Sequence, residues 1–362
     1  MSLYTVTSSP DGRTCTTPGT SCRVSGLTNQ QTYSFTVRAA SAAGTGSAST
    51  ASNLVKPSEF TLVLSGYPTS DVAGVAHSIT VTVKDSHGAT ATGYLGTVHF
   101  TSTDSKAVLP ADYTFTVADA GVHKFTTTVT LKTAGTWSVT AMDSGNSNVA
   151  GTQTVSVTPA ATKTFALSGF SSPDVAGVAH SITVTAKDAY GNTATGYTGT
   201  VTFTSTDTKA VLPANYTFTA ANAGTHTFSV TLKTAGTDSV RARDTVTSTI
   251  TGGQYPITVT PAAAATLVVS GLTTPRTAGT AGTITVKAVD AFGNTATGYL
   301  GTVHFTSTDT KAVLPANYTF TAANAGVHTF SVTLKTVGTQ VIRARDTVTS
   351  TITGIQGGIV VS

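Results

Sequence analysis

The chain has 362 residues, a formal net charge of +4 and only 10% charged residues, against about 25% in an ordinary soluble domain. Charges of both signs are scarce, which excludes the dense basic face that nucleic acid requires and leaves little acid–base material, Glu59 being the only glutamate. No apolar run approaches the ~18 residues of a helical membrane span, and Thr, Ser, Val and Gly stand where helix formers would, so an all-β chain is predicted.

Residues 1–56 open with Met1-Ser2-Leu3-Tyr4, which is not the charged-then-apolar start of a signal peptide. Short alternating runs follow: Tyr4-Thr5-Val6-Thr7-Ser8-Ser9 before Pro10-Asp11-Gly12, then Leu27-Thr28-Asn29 and Tyr33-Ser34-Phe35-Thr36-Val37-Arg38-Ala39. Cys15 and Cys22 fall on adjacent short strands without the C-x-x-C spacing of a redox pair, and a disulfide between them suits an extracellular compartment. The segment resembles the second half of a fibronectin type III domain, in which a Leu precedes the corner Tyr by six residues, as Leu27 precedes Tyr33. The resemblance implies that the first two strands of that fold lie before Met1. Residues 1–56 are therefore expected to be poorly ordered or to pair with another chain through an open edge.

Three copies of one unit occupy 57–159, 160–261 and 262–362. Lys187-Asp188-Ala189-Tyr190-Gly191-Asn192-Thr193-Ala194-Thr195-Gly196-Tyr197 returns from Val289 to Tyr299, and Lys84-Asp85-Ser86-His87-Gly88 opens a divergent first version. The period, about 102 residues, is that of a β-sandwich and not of a solenoid. Alternation predicts half-buried strands at Ile182-Thr183-Val184-Thr185-Ala186, at Val201 and Phe203, at Tyr216 and Phe218, and at Phe228, Val230 and Leu232. The first copy carries two extra residues between Phe125 and Leu131, an even number that keeps the apolar set on one face. Units end at Val157-Thr158-Pro159 and Val259-Thr260-Pro261, and the short Ala-rich links predict semi-rigid stacking. The run from Lys187 to Asp207 resembles the bacterial Ig-like domains of invasin- and intimin-type surface proteins. That implies tandem immunoglobulin-like β-sandwiches in an elongated array.

Candidate chemistry is sparse. Asp85, Asp188 and Asp290 open the Asp-x-x-Gly turns, and Asp104, Asp207 and Asp309 close the Thr-Ser-Thr-Asp runs. Carboxylates at domain ends could clamp Ca²⁺, or each could bond its own downstream backbone in an Asx turn. Arg241 and Arg243, with their partners Arg343 and Arg345, point outward at i, i+2 and could grip an anionic glycan, or pair with Asp244 and Asp346. Trp137 aligns with Asp238 and Gln340, at what reads as a solvated strand end where an indole could stack on sugar. His123, His226 and His328 recur at one position and read as backbone-satisfied edge residues, since no zinc spacing is present. Lys106, Lys209 and Lys311 recur near Asn or Asp, but an internal isopeptide bond usually needs a buried acidic catalyst and none is assigned. No G-x-S-x-G elbow occurs, so no catalytic residue is assigned.

The expected function is a non-enzymatic stalk or adhesion segment of a secreted or cell-surface bacterial protein, with a glycan or surface protein as partner and no nucleic acid or membrane span. The alternative is a non-catalytic, carbohydrate-contacting region of a large secreted polysaccharide-degrading enzyme. A third reading is direct hydrolase activity. No cofactor other than calcium is implied.

Overall fold

A computed structural model describes residues 3–28, 31–57 and 60–362; Asn29 of the motif above, Glu59 and the first two residues lie outside them. The chain divides into two compact units, Met1–Ala160 and Ala161–Ser362. Among the described residues the regular secondary structure is strand, apart from three single-turn 3-10 helices at Val117–Asp119, Ala220–Asn222 and Ala322–Asn324.

Each repeat packs two sheets face to face, antiparallel except for one short parallel edge pairing. In the second repeat one sheet runs Thr164–Ser168, Ala179–Lys187, Thr225–Thr231, and the other Asp174–Val175, Thr251–Thr260, Gly236–Asp244, Thr200–Ser205, Tyr216–Thr217. The first strand thus belongs to one sheet and its continuation, Asp174–Val175, pairs parallel with Val259 and Thr260 in the other. That division of the opening strand between two sheets is immunoglobulin-like. The first repeat has the same order, and in the third a single parallel bridge, Arg276 to Val361, stands for the short strand.

The cores follow from period-2 alternation. Ile182, Val184 and Ala186 are buried, as are Val201, Phe203, Phe228, Val230 and Leu232. The two extra residues of the first repeat are absorbed by a register shift between Phe125 and Val129. Thr127 there takes a left-handed φ of 48°, so Phe125, Val129 and Leu131 all stay buried.

Between Leu3 and Thr45 the described strands form one four-stranded sheet in the order Thr14–Thr17, Leu3–Ser9, Ser34–Ser41, Gly44–Thr45. Tyr33 is fully buried, and its hydroxyl donates to the Asp11 carboxylate while accepting from the Thr28 N–H at 2.9 Å. A disulfide joins Cys15 and Cys22, with their Cα atoms 6.2 Å apart. The later chain returns along this sheet, Ser49 and Ser52 bonding the backbone of Val37 and Phe35 through both N–H and hydroxyl.

Candidate functional site

The carboxylates proposed as calcium ligands are already saturated by protein donors. Asp309 Oδ1 accepts from Lys311 N–H (2.9 Å) and the Thr336 hydroxyl (2.6 Å), and Oδ2 from the N–H groups of Lys335 (2.6 Å) and Thr336 (3.0 Å). Asp104 and Asp207 repeat this four-bond pattern. Burial pushes the Asp309 carboxyl up, but the Thr336 hydroxyl and the three N–H donors outweigh it and hold it at about 2. Asp104 and Asp207 are lowered against the same opposing burial. With two protein donors on each oxygen, these three carboxylates are placed as hydrogen-bonded joints between a turn and the chain that returns to it. Among the described residues no group of three or more His, Cys, Asp or Glu could hold a metal ion.

The Asp-x-x-Gly set forms Asx turns. Asp85 Oδ1 takes the N–H groups of His87 and Ala89, and Asp188 Oδ1 those of Tyr190 and Asn192. Asp290 Oδ1 accepts from Phe292 and Asn294 N–H, while Oδ2 accepts from the Asn294 side-chain amide and from Ala262 N–H at 3.0 Å. The last bond ties the third repeat's turn to the link that precedes it.

That turn is where the second and third repeats meet. The Asn294 amide makes a two-way pair with the second repeat's backbone, donating to the Lys233 carbonyl at 2.8 Å and accepting from Ala235 N–H at 2.9 Å. Lys209 Nζ donates to the Phe292 carbonyl at 2.6 Å, so its amine serves a junction and not an isopeptide bond. The Phe292 ring packs on the core of the second repeat, with Lys233 Nζ 5.9 Å from its centroid. It lies against Gly177, whose added Cβ would sit 2.2 Å from the ring. Sequence reading found the turn but not this use of it; the signal is that the aromatic and the Asn recur together in the second and third copies.

A second set was missed. Tyr94, Tyr197 and Tyr299 donate to Asp143, Asp244 and Asp346, at 2.5 Å in the latter two. Burial, then the partner carboxylate, pushes each phenol well above its ordinary range. The bond crosses directly over the glycine two positions after the tyrosine: a Cβ on Gly199 would meet Asp244 Oδ2 at 2.3 Å and Tyr197 Oη at 2.5 Å. That close approach explains why Tyr-x-Gly recurs in all three copies.

The tyrosine bond also corrects the arginine reading. Asp244 and Asp346 face inward and are buried, whereas Arg241, Arg243, Arg343 and Arg345 project from the opposite face of the same strands. Strand parity therefore separates the charges that were expected to pair. Arg241 instead lies 5.3 Å from the ring centroid of Tyr255, itself 64% exposed. Trp137 is corrected too. It shares parity with buried Val139 and Ala141, is half-buried, and donates its indole N–H to the Thr133 carbonyl at 2.6 Å.

The recurrent histidines are held by side chains. His226 stacks on Tyr216 with centroids 4.1 Å apart and lies 3.2 Å from the Asn222 amide; His123 and His328 stack on Tyr113 and Tyr318 in the same way.

No protein-family model matches the chain, and no curated protein does. Among solved structures, the Escherichia coli adhesin FdeC aligns over 84% of this chain and 97% of its own at 19% identity, with a TM-score of 0.38. InvD of Yersinia pseudotuberculosis aligns over 83% and 96% at 17% identity and TM-score 0.34. Invasin, a bacterial integrin-binding protein, aligns over 99% and 72% at 17% identity and TM-score 0.30. These likenesses are of fold.

Proposed function

We propose that the chain is a non-enzymatic spacer: a stalk segment of a secreted or cell-surface bacterial protein that sets the distance and orientation of a binding end. Its organisation would be a fibronectin-like module over 1–56 followed by Ig-like modules over 57–159, 160–261 and 262–362 in tandem. The observation that carries this reading is the junction at Asn294 and Phe292. Flexibly tethered beads need no such contact; a spacer that transmits orientation does. The Cys15–Cys22 disulfide is consistent with an oxidising compartment.

The test is a distance measurement across the junction. Val246 and Val348 are about nine-tenths exposed, and the described residues contain no free cysteine, so Val246→Cys/Val348→Cys accepts a fluorophore pair. A single narrow transfer-efficiency distribution, broadened by Phe292→Ala, is expected. A broad distribution in the unaltered junction would overturn the spacer reading.

A second reading, a carbohydrate-contacting accessory region, draws on one observation. The exposed Arg241–Tyr255 pair offers a cation and an aromatic face side by side. Pull-down on insoluble polysaccharides, lost in Arg241→Ala and Tyr255→Ala, would favour it over the spacer.

A further inference from the structure

The surface of the second repeat that receives the Asp290–Asn294 turn is rebuilt at the corresponding end of the third. Gly177 corresponds to Gly279, Lys209 to Lys311, Lys233 to Lys335 and Ala235 to Val337. The backbone beneath is the same in both. Gly177 and Gly279 have φ of 86° and 84°, and their N–H groups donate to Leu232 and Leu334 at 2.7 and 2.8 Å. Asp207 gathers the N–H groups of Lys209, Lys233 and Thr234 as Asp309 gathers those of Lys311, Lys335 and Thr336. The receiving shape is thus fixed by its own repeat, and docking of a turn is not needed to form it.

What differs is occupancy. An added Cβ on Gly279 meets nothing within 4 Å, where on Gly177 it would strike Phe292. Val337 is 68% exposed and Lys335 is exposed, while Ala235 and Lys233 are half-covered. Among the described residues, the Val337 N–H and the Lys335 carbonyl have no hydrogen-bond partner, although their counterparts hold the Asn294 amide.

We propose that Gly279, Lys311, Lys335 and Val337 form a docking surface for the Asp-x-aromatic-Gly-Asn turn of a further Ig-like repeat joined in tandem. The asparagine amide would pair with the Lys335 carbonyl and Val337 N–H, the aromatic ring would cover Gly279, and Lys311 Nζ would donate to the carbonyl of the aromatic residue. The chain's first turn does not qualify. It reads Asp85-Ser86-His87-Gly88-Ala89 and has no amide at the decisive position. Because the contact is one turn wide, its strength depends on the effective concentration that a short covalent link supplies. The inference rests on the observed junction and not on the spacer role.

The experiment appends a second copy of residues 261–362 after Ser362, the position aligned with Thr260, and follows amide hydrogen exchange at Val337 in the full chain. Exchange at Val337 is expected to slow roughly tenfold or more in the extended protein. That protection should disappear when the appended asparagine is changed to Ala, and fall with Lys311→Ala, an exposed site whose replacement leaves the fold intact. Unchanged exchange at Val337, in a protein whose appended core amides are protected, would overturn the proposal. So would equal protection in the unextended chain at high concentration, which would assign the surface to self-association.

Discussion

At the scale of single residues, one substitution pair shows how the same space is filled by different chemistry. In the first two repeats a buried aspartate meets a histidine, Asp71 to His77 at 2.9 Å and Asp174 to His180 at 2.5 Å. In the third, Arg276 stands at the aspartate position and Gly282 at the histidine position. The guanidinium occupies the imidazole's volume, its Nη1 2.4 Å from where a Gly282 Cβ would lie, and Nη2 donates to the Thr280 carbonyl at 2.6 Å. Arg276→Asp alone strands a buried carboxylate, and Gly282→His alone collides with the guanidinium. The double variant restores the pair, so a double-mutant cycle by urea unfolding should give a favourable coupling of about 1–3 kcal/mol. Asp309 supplies the pH dependence. Its folded pKa of about 2 lies below the ~3.9 of an unfolded Asp, so its stabilisation is present above pH ~4 and is lost as pH falls toward 2. Asp309→Asn should lower the urea midpoint at about pH 6 and flatten its decline between about pH 4 and pH 2.5.

At the scale of elements, strand parity made the cores legible and also produced the errors. Alternation placed Ile182, Val184, Phe228 and Val230 inward, where they are. The same rule, applied to Arg243 and Asp244, forbids the ion pair that sequence proximity suggested. Trp137 was misread because Asp238 and Gln340, its counterparts, look solvent-facing. Both are buried, bonded to Thr206 and Thr308 across the sheet. In the first repeat the bulge stores strain at Thr127, a β-branched residue at φ 48°. Thr127→Gly relieves it, and because the side chain is exposed little packing is lost. Thermal unfolding should show unchanged or increased stability, by up to about 1 kcal/mol. A loss above that size would mean the hydroxyl or methyl makes a contact that matters.

At the scale of the molecule, the junction between the second and third repeats should make them one cooperative unit. Asn294 carries two backbone bonds to the neighbouring repeat and one to Asp290. Removing its amide leaves those backbone groups without that partner, at a net cost of about 1–3 kcal/mol. In calorimetry, Asn294→Ala should therefore resolve separate transitions for the two repeats where the parent shows them merged. Identical profiles would indicate that the junction does not couple them.

The sequence by itself determined the all-β class, the repeat and the inward set of each strand, because period-2 alternation and turn residues act locally and recur three times. It also marked the glycines, tyrosines and aspartates that recur. What those residues do was decided by tertiary structure, since their partners lie far along the chain. Asp309 reaches Lys335 and Thr336, Tyr299 reaches Asp346, and Asn294 reaches Lys233 in another repeat. A carboxylate read in isolation is equally a calcium ligand, a turn former or an ion-pair partner. Only the fold brings up the donors that fill its lone pairs, and with them the difference between a metal site and a hydrogen-bonded joint.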